Sequence, residues 1–132
     1  MDITGEYRIA LPRQKVWEAL NDTDVLRDCI PGCDTLVRES DTRFLAKVIA
    51  KIGPVKAKFE TTVTLSDLDP PARYTLTGEG KGGAAGFARG SADVELKEDG
   101  DETLLSYSAR IQPGGKLAQV GSHLIGGTAR NS

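Results

Sequence analysis

The sequence has few of the residues from which catalytic, metal and redox sites are built. Its 132 residues include one histidine, His123, one tryptophan, one methionine and two cysteines. Two cysteines and a lone histidine cannot complete a tetrahedral zinc site. No H-E-x-x-H or nucleophile-elbow sequence occurs, and most carboxylates fall in predicted turns or on solvent-facing strand positions. We therefore expect no catalytic residues, no metal site and no intrinsic cofactor.

Long apolar runs and an excess of positive charge are also lacking. No segment approaches the roughly 18 consecutive apolar residues that span a bilayer, so any membrane contact is expected to be peripheral. The first residues, Met1 to Tyr7, carry neither the basic nor the apolar region of a secretory signal, which predicts a cytoplasmic protein. A net charge of -2 with dispersed lysines and arginines argues against a nucleic-acid partner. With 39% hydrophobic and 27% charged residues, residues 1–132 are expected to form one domain.

Alternating apolar and polar residues predict that most of the chain is antiparallel strand. The clearest stretch runs from Val55 to Leu65, and the same period of two recurs over 44–52, 74–78, 88–96 and 105–111. A first strand is predicted from about Ile3 to Leu11. The linkers between these segments are rich in glycine, proline and aspartate, as expected for turns. The pattern therefore predicts a meander of about seven strands.

Helical signals occur in three places. Two short helices are predicted after the first strand, over Pro12 to Leu20 and Asp22 to Cys29. After a break at Pro113-Gly114-Gly115, apolar residues recur at helical spacing towards the C-terminus. The predicted fold is α+β, with an antiparallel sheet wrapped around a C-terminal α-helix.

One predicted strand carries unusually small residues on its inward side. Alternation assigns Gly86, Ala88, Gly90 and Ala92 to the core. Because protein interiors pack at a density of about 0.75, something else has to fill the missing side-chain volume. Either backbone approaches closely or a bound molecule occupies a cavity, and these residues alone leave both interpretations open.

Two motifs suggest chemistry that their surroundings do not support. The segment Gly78-Glu79-Gly80-Lys81-Gly82-Gly83 matches the dinucleotide pattern G-x-G-x-x-G, but another strand follows it and not a helix. The segment Cys29-Ile30-Pro31-Gly32-Cys33 holds both cysteines. A cytosolic pair of this kind usually stays reduced, so we predict a structural turn in preference to a disulfide or reactive thiol.

The cysteine segment and a second one, Gly114-Gly115-Lys116-Leu117-Ala118-Gln119-Val120-Gly121-Ser122, resemble signatures of the CoxG family of carbon monoxide dehydrogenase subunits. This family belongs to the START-like helix-grip superfamily. The resemblance extends along nearly the whole chain, from Gly5-Glu6-Tyr7 to the terminal helix.

The resemblance implies a non-catalytic accessory protein with an apolar cavity between the sheet and the last helix. Family members are typically encoded beside aerobic molybdenum carbon monoxide dehydrogenases or related molybdenum hydroxylases, and are thought to connect the enzyme to the membrane. The implied ligand is a lipid or an isoprenoid quinone such as menaquinone. Homologues usually continue into a tail that engages the membrane, whereas this sequence ends at Ser132, so membrane contact by this chain is not implied.

Alternation and the resemblance together predict the residues that line the cavity. Tyr107 is the one polar group among them, and its hydroxyl is expected to bond either a ligand carbonyl or, more simply, a backbone carbonyl. Two alternatives to a carrier stay open: a module for assembly or docking of the dehydrogenase, with the cavity filled by its own side chains, and an aromatase or cyclase of the same superfamily, which lacks evident acid-base groups here. The predicted lining comprises Phe44, Val48, Phe59, Val63, Leu76, Ala88, Ala92, Leu105, Tyr107, Leu117, Val120, Gly121 and Leu124.

Overall fold

The computed structural model describes residues 1–119, which form one antiparallel sheet and a few short helices. The strand order is β1-β7-β6-β5-β4-β3-β2, so β2 to β7 form a meander and β1 closes against β7. This arrangement confirms the predicted α+β fold with seven strands; residues 116–119 are helical, and the rest of the predicted terminal helix lies outside the described residues. The elements are β1 Asp2–Ile9, α1 Arg13–Leu20, α2 Thr23–Cys29, β2 Cys33–Ser40, β3 Arg43–Ile52, β4 Val55–Asp69, β5 Arg73–Lys81, a 3-10 helix Gly83–Ala85, β6 Phe87–Asp99 and β7 Glu102–Gly114.

Both short helices begin where the sequence predicts. Pro12 stands immediately before α1 with a φ of -62°, which prepares the chain for the first helical turn. Asp22 caps α2, because its carboxylate accepts hydrogen bonds from the backbone N–H groups of Asp24 and Val25 at 2.9 and 3.3 Å. The indole of Trp17 on α1 meets the ring of Tyr74 edge-on, with centroids 5.3 Å apart. The two helices therefore pack against one end of the sheet.

Strand β2 has no clear signal in the sequence. It is an edge strand, bonded only to β3, and of its eight residues only Cys33 and Leu36 are partly buried. An edge strand with one partner buries few side chains, so alternation is weak there. Burial against a single neighbour explains why the pattern did not locate this strand.

Strand β7 continues through the proline that was predicted to end it. Pairing with β1 stops at Arg110, and the Ile111 N–H then bonds the Met1 carbonyl at 2.8 Å. Pro113 lies two residues further, on the same open side of β7, while Ala88 of β6 remains its partner on the other side. A proline costs no ladder hydrogen bond at such an edge position, so the predicted break at Pro113-Gly114-Gly115 was too early.

The buried residues form two separate clusters. One lies at the helix end of the sheet and contains Phe44, Leu65, Tyr74 and Val94, each at most 7% exposed. Tyr74 is buried enough that desolvation raises its pKa to about 12. The other cluster joins Phe59, Ala85 and Leu117 at the opposite end. We call the face of the sheet that carries both clusters the inner face.

Two glycines allow backbone to approach backbone. Gly32, with a φ of +78°, ends the turn between the two cysteines, and a Cβ there would collide with the carbonyl oxygen of Ile49. The Gly32 carbonyl accepts a hydrogen bond from Ile49 N–H at 2.8 Å, and both thiols are free. The prediction of a structural turn is therefore confirmed.

Gly86 occupies an equivalent tight position between the 3-10 helix and β6. Its φ is +105°, and a Cβ there would collide with the carbonyl oxygen of Gly114. Of the four small residues assigned to the inward side of this segment, Gly86 thus serves backbone packing and does not border a cavity.

We expect Gly86→Ala to destabilise the protein more than Gly83→Ala. Both positions have a positive φ, but nothing lies within 4 Å of a Cβ at Gly83. The control should therefore cost only the left-handed strain of about 1 to 2 kcal/mol, and Gly86→Ala a further 1 to 3 kcal/mol, roughly, for the collision. Urea unfolding of both variants measures the difference, and equal losses would contradict the close approach.

Candidate ligand-binding cavity

A cavity of about 430 Å³ lies against the inner face of the sheet, between the two buried clusters. Its volume falls within the range of roughly 300 to 1,000 Å³ that is typical of small-molecule sites. Its surface is almost entirely apolar. The described part of the protein therefore contains a site suited to a hydrophobic molecule.

The floor of the cavity is a block of small residues in β5 and β6. Strand register places Gly78 opposite Gly90 and Gly80 opposite Ala88. Leu76 stands opposite Ala92 in the next inward-facing row. Directly opposite residues on one face of an antiparallel pair normally touch through their side chains, and here almost no side chain is present. The space in front of these strands is left open as a result.

Larger residues form the walls. Val63 of β4 lies opposite Gly78, and Phe59, only 7% exposed, closes one end together with Leu117, which is 5% exposed. The ring of Phe59 packs against the backbone at Gly82, which leaves no room for a side chain there. Val48, Ala50, Ala109 and Ile111 complete the apolar boundary.

The polar group inside the cavity is the hydroxyl of Thr61. It lies close to the floor, because a Cβ at Gly80 would be 3.1 Å from Thr61 Oγ1. Glu79, Arg89 and Ser91 also border the cavity, but alternation turns their side chains to the outer face, where Arg89 Nε lies 3.8 Å from Glu79 Oε1. These three contribute backbone to the cavity, and Thr61 contributes a hydrogen-bonding side chain.

Seven of the thirteen predicted lining residues border the cavity. Their role in binding a ligand remains a prediction, since their position is what the structure describes. Val120, Gly121 and Leu124 lie outside the described residues. The seven are Val48, Phe59, Val63, Leu76, Ala88, Ala92 and Leu117.

Phe44, Leu105 and Tyr107 do not line the cavity, contrary to the prediction. Each has the correct inward parity but lies nearer the helix end, where Phe44 is buried in the first cluster and the other two pack against it. The predicted polar role of Tyr107 is therefore wrong. Its ring stacks on Tyr7 at a centroid distance of 6.1 Å, and partial desolvation, with Tyr7 as neighbour, raises the pKa of Tyr107.

The residues that the prediction missed are mostly small. Ala50, Gly78, Gly90, Ala109 and Ile111 all occupy inward positions of the alternating strands. The alternation itself could have identified them, but a list of lining residues built mainly from large apolar side chains passes over glycines and alanines. Thr61 was likewise on an inward position and is polar, which is why it was not selected.

Other candidate sites receive no support from the described residues. Residues 1–119 contain no group of three or more histidine, cysteine, aspartate or glutamate side chains that could hold a metal ion, and His123 lies beyond them. The glycine motif that begins at Gly78 runs along β5 into the 3-10 helix. Within the same part of the chain, no helix is long and apolar enough to cross a membrane.

Solved structures with the same fold include proteins of several kinds. A conserved protein from Geobacillus kaustophilus is 29% identical, with a TM-score of 0.86 over 98% of this chain and 86% of that one. The Zhui aromatase/cyclase from Streptomyces sp. R1128 is 17% identical, with a TM-score of 0.62 over 87% and 69%. Ara h 8.0201 is 13% identical, with a TM-score of 0.65 over 94% and 87%. The last two show the helix-grip fold alone.

The sequence itself identifies the family. No curated protein matches it. The family model for CoxG, a subunit of carbon monoxide dehydrogenase, matches residues 5–132, which is nearly the whole sequence. This chain therefore belongs to the CoxG family of carbon monoxide dehydrogenase subunits.

Proposed function

We propose that this protein is a non-catalytic accessory protein that carries a lipid or an isoprenoid quinone such as menaquinone in its cavity. In this function it links a molybdenum carbon monoxide dehydrogenase, or a related molybdenum hydroxylase, to the quinone pool at the cytoplasmic face of the membrane. The observation that carries the proposal is the glycine and alanine floor, which leaves an apolar cavity of about 430 Å³ in front of the central strands.

The composition of the cavity favours a hydrophobic ligand with a small polar group. Transfer of apolar surface out of water contributes about 25 cal/mol per Å², and the apolar walls supply that stabilisation. Thr61 Oγ1 near the floor can donate one hydrogen bond to a ligand carbonyl. A quinone ring offers such carbonyls beside an apolar body, so it matches both features.

The same composition disfavours catalysis. An aromatase or cyclase needs general acids and bases that reach the substrate. The side chains that line the cavity from residues 1–119 are aliphatic, aromatic or, at Thr61, a hydroxyl, while Glu79 and Arg89 pair with each other on the outer face. Similarity to the Zhui aromatase/cyclase is limited to the fold, so it does not carry that activity to this chain.

The family supplies the partner. Membership of the CoxG family connects the chain with carbon monoxide dehydrogenase. A carrier beside such an enzyme would accept electrons into the respiratory pool by delivering and removing quinone, while the dehydrogenase performs the chemistry.

We expect Ala92→Phe to destabilise the protein by less than about 1.5 kcal/mol, because the new ring enters the cavity. The matched control is Ala46→Phe, at a position that is 7% exposed and does not border the cavity. Overpacking there should cost 1 to 3 kcal/mol or more, roughly. Denaturant unfolding measures both variants, and a larger loss for Ala92→Phe than for Ala46→Phe would show that the space is already filled by the protein.

Native mass spectrometry of the purified full chain, followed by organic extraction, should identify a bound quinone or lipid. Ala92→Phe should reduce the recovered ligand, and the affinity for added menaquinone, at least tenfold, whereas Val37→Ala on the exposed edge strand should leave both unchanged. If the native protein neither retains nor takes up any quinone or lipid, the carrier function is wrong. A pull-down with the dehydrogenase would then test the alternative of a docking module.

A further inference from the structure

The hairpin of β3 and β4 carries a cluster of lysines on the outer face of the sheet. We call this surface the lysine face and define it as Lys47, Lys51, Lys56 and Lys58. All four are exposed. From Thr42 to Phe59 the sequence contains these lysines and Arg43, and no aspartate or glutamate.

Strand register brings these charges together. Lys51 stands directly opposite Lys56, and Lys58 stands opposite Ile49. Lys47 faces Glu60, which has Lys81 on its other side. Like charges placed opposite each other across two strands destabilise a sheet. The Lys51 and Lys56 pair is therefore unfavourable within the isolated protein and becomes favourable beside an external anion.

These lysines are not neutralised from within the described part of the chain. None of the four has a carboxylate within 4.0 Å there, whereas Lys15 and Lys97 elsewhere each have a glutamate within that distance. Opposite charge is concentrated at the other end of the sheet. The turn between β6 and β7 alone brings Glu98, Asp99, Asp101 and Glu102 together. The net charge of -2 thus hides a molecule with a basic end and an acidic end.

The lysine face also has an apolar centre and lies next to the cavity. Ile49, between the lysines, is 41% exposed. On the opposite side of the same two strands, Val48, Ala50 and Phe59 form part of the cavity wall. Whatever binds the lysine face is separated from the cavity only by the thickness of the sheet.

We propose that the lysine face binds the surface of a bilayer rich in anionic phospholipid. A flat sheet face with four cations spread over two strands matches a plane of repeated phosphates, and the aliphatic side chain of Ile49 suits the boundary between headgroups and acyl chains. Single-stranded nucleic acid would be expected to find aromatic side chains between the cations, and the lysine face has none. The inference rests on the proposed function for its purpose, because it would hold the carrier's cavity beside the quinone pool.

Flotation of the full chain with lipid vesicles tests the lysine face directly. The protein should bind vesicles of phosphatidylcholine with phosphatidylglycerol and not vesicles of phosphatidylcholine alone, and binding should weaken as salt is raised. Lys51→Gln with Lys56→Gln should weaken binding roughly 30-fold, at about a fivefold loss for each lysine near an anionic surface. Lys15→Gln with Lys97→Gln is the matched control, since it removes the same charge elsewhere and should change binding less than twofold.

Three results would overturn the inference: equal binding to neutral vesicles, equal losses in both double variants, or no vesicle binding while Lys51→Gln with Lys56→Gln releases the dehydrogenase in a pull-down. The last result would assign the surface to an acidic protein partner. Ligand retention measured by mass spectrometry in the same double variant keeps the two proposals apart. Retained quinone with lost vesicle binding supports the lysine face, whereas a chain that binds vesicles but no ligand contradicts only the carrier function.

Discussion

The arrangement of the interior depends on one deficit, which is that the central strands carry too little side-chain volume to fill the space before them. Gly78 opposite Gly90 and Gly80 opposite Ala88 leave the middle of the inner face nearly bare. The large side chains are displaced to the two ends, where they form separate clusters. Because close packing is the rule in protein interiors, an open region between two well-packed clusters is the feature that function has to explain.

Glycine has two different effects in this sheet. In β5 and β6 it removes side chains from the cavity floor, whereas Gly86 allows the start of β6 to touch the end of β7 at Gly114. That close contact holds the first residues of the helical segment beside the sheet, and it brings Leu117 onto Phe59 and Ala85. The cavity therefore needs large residues at its end as much as small ones on its floor.

The β3–β4 hairpin serves both surfaces of the molecule. Its inward residues are apolar and form a wall of the cavity, while its outward residues form the lysine face. A strand pair can carry two unrelated surfaces because successive side chains point in opposite directions. The proposed carrier and the proposed bilayer contact thus share two strands, and the sheet transmits no charge into the cavity.

The sequence by itself determined the strands of the meander, the two short helices and the family, because alternation, capping residues and motifs are local. It did not locate β2 or the true end of β7, since an edge strand and Pro113 are explained only by the neighbour that each lacks. The tertiary structure alone decided which inward residues share the cavity. Phe44 and Tyr107 have the same parity as Val63 and Ala92, but parity gives the face and not the position along it, which is set by register across four or five strands.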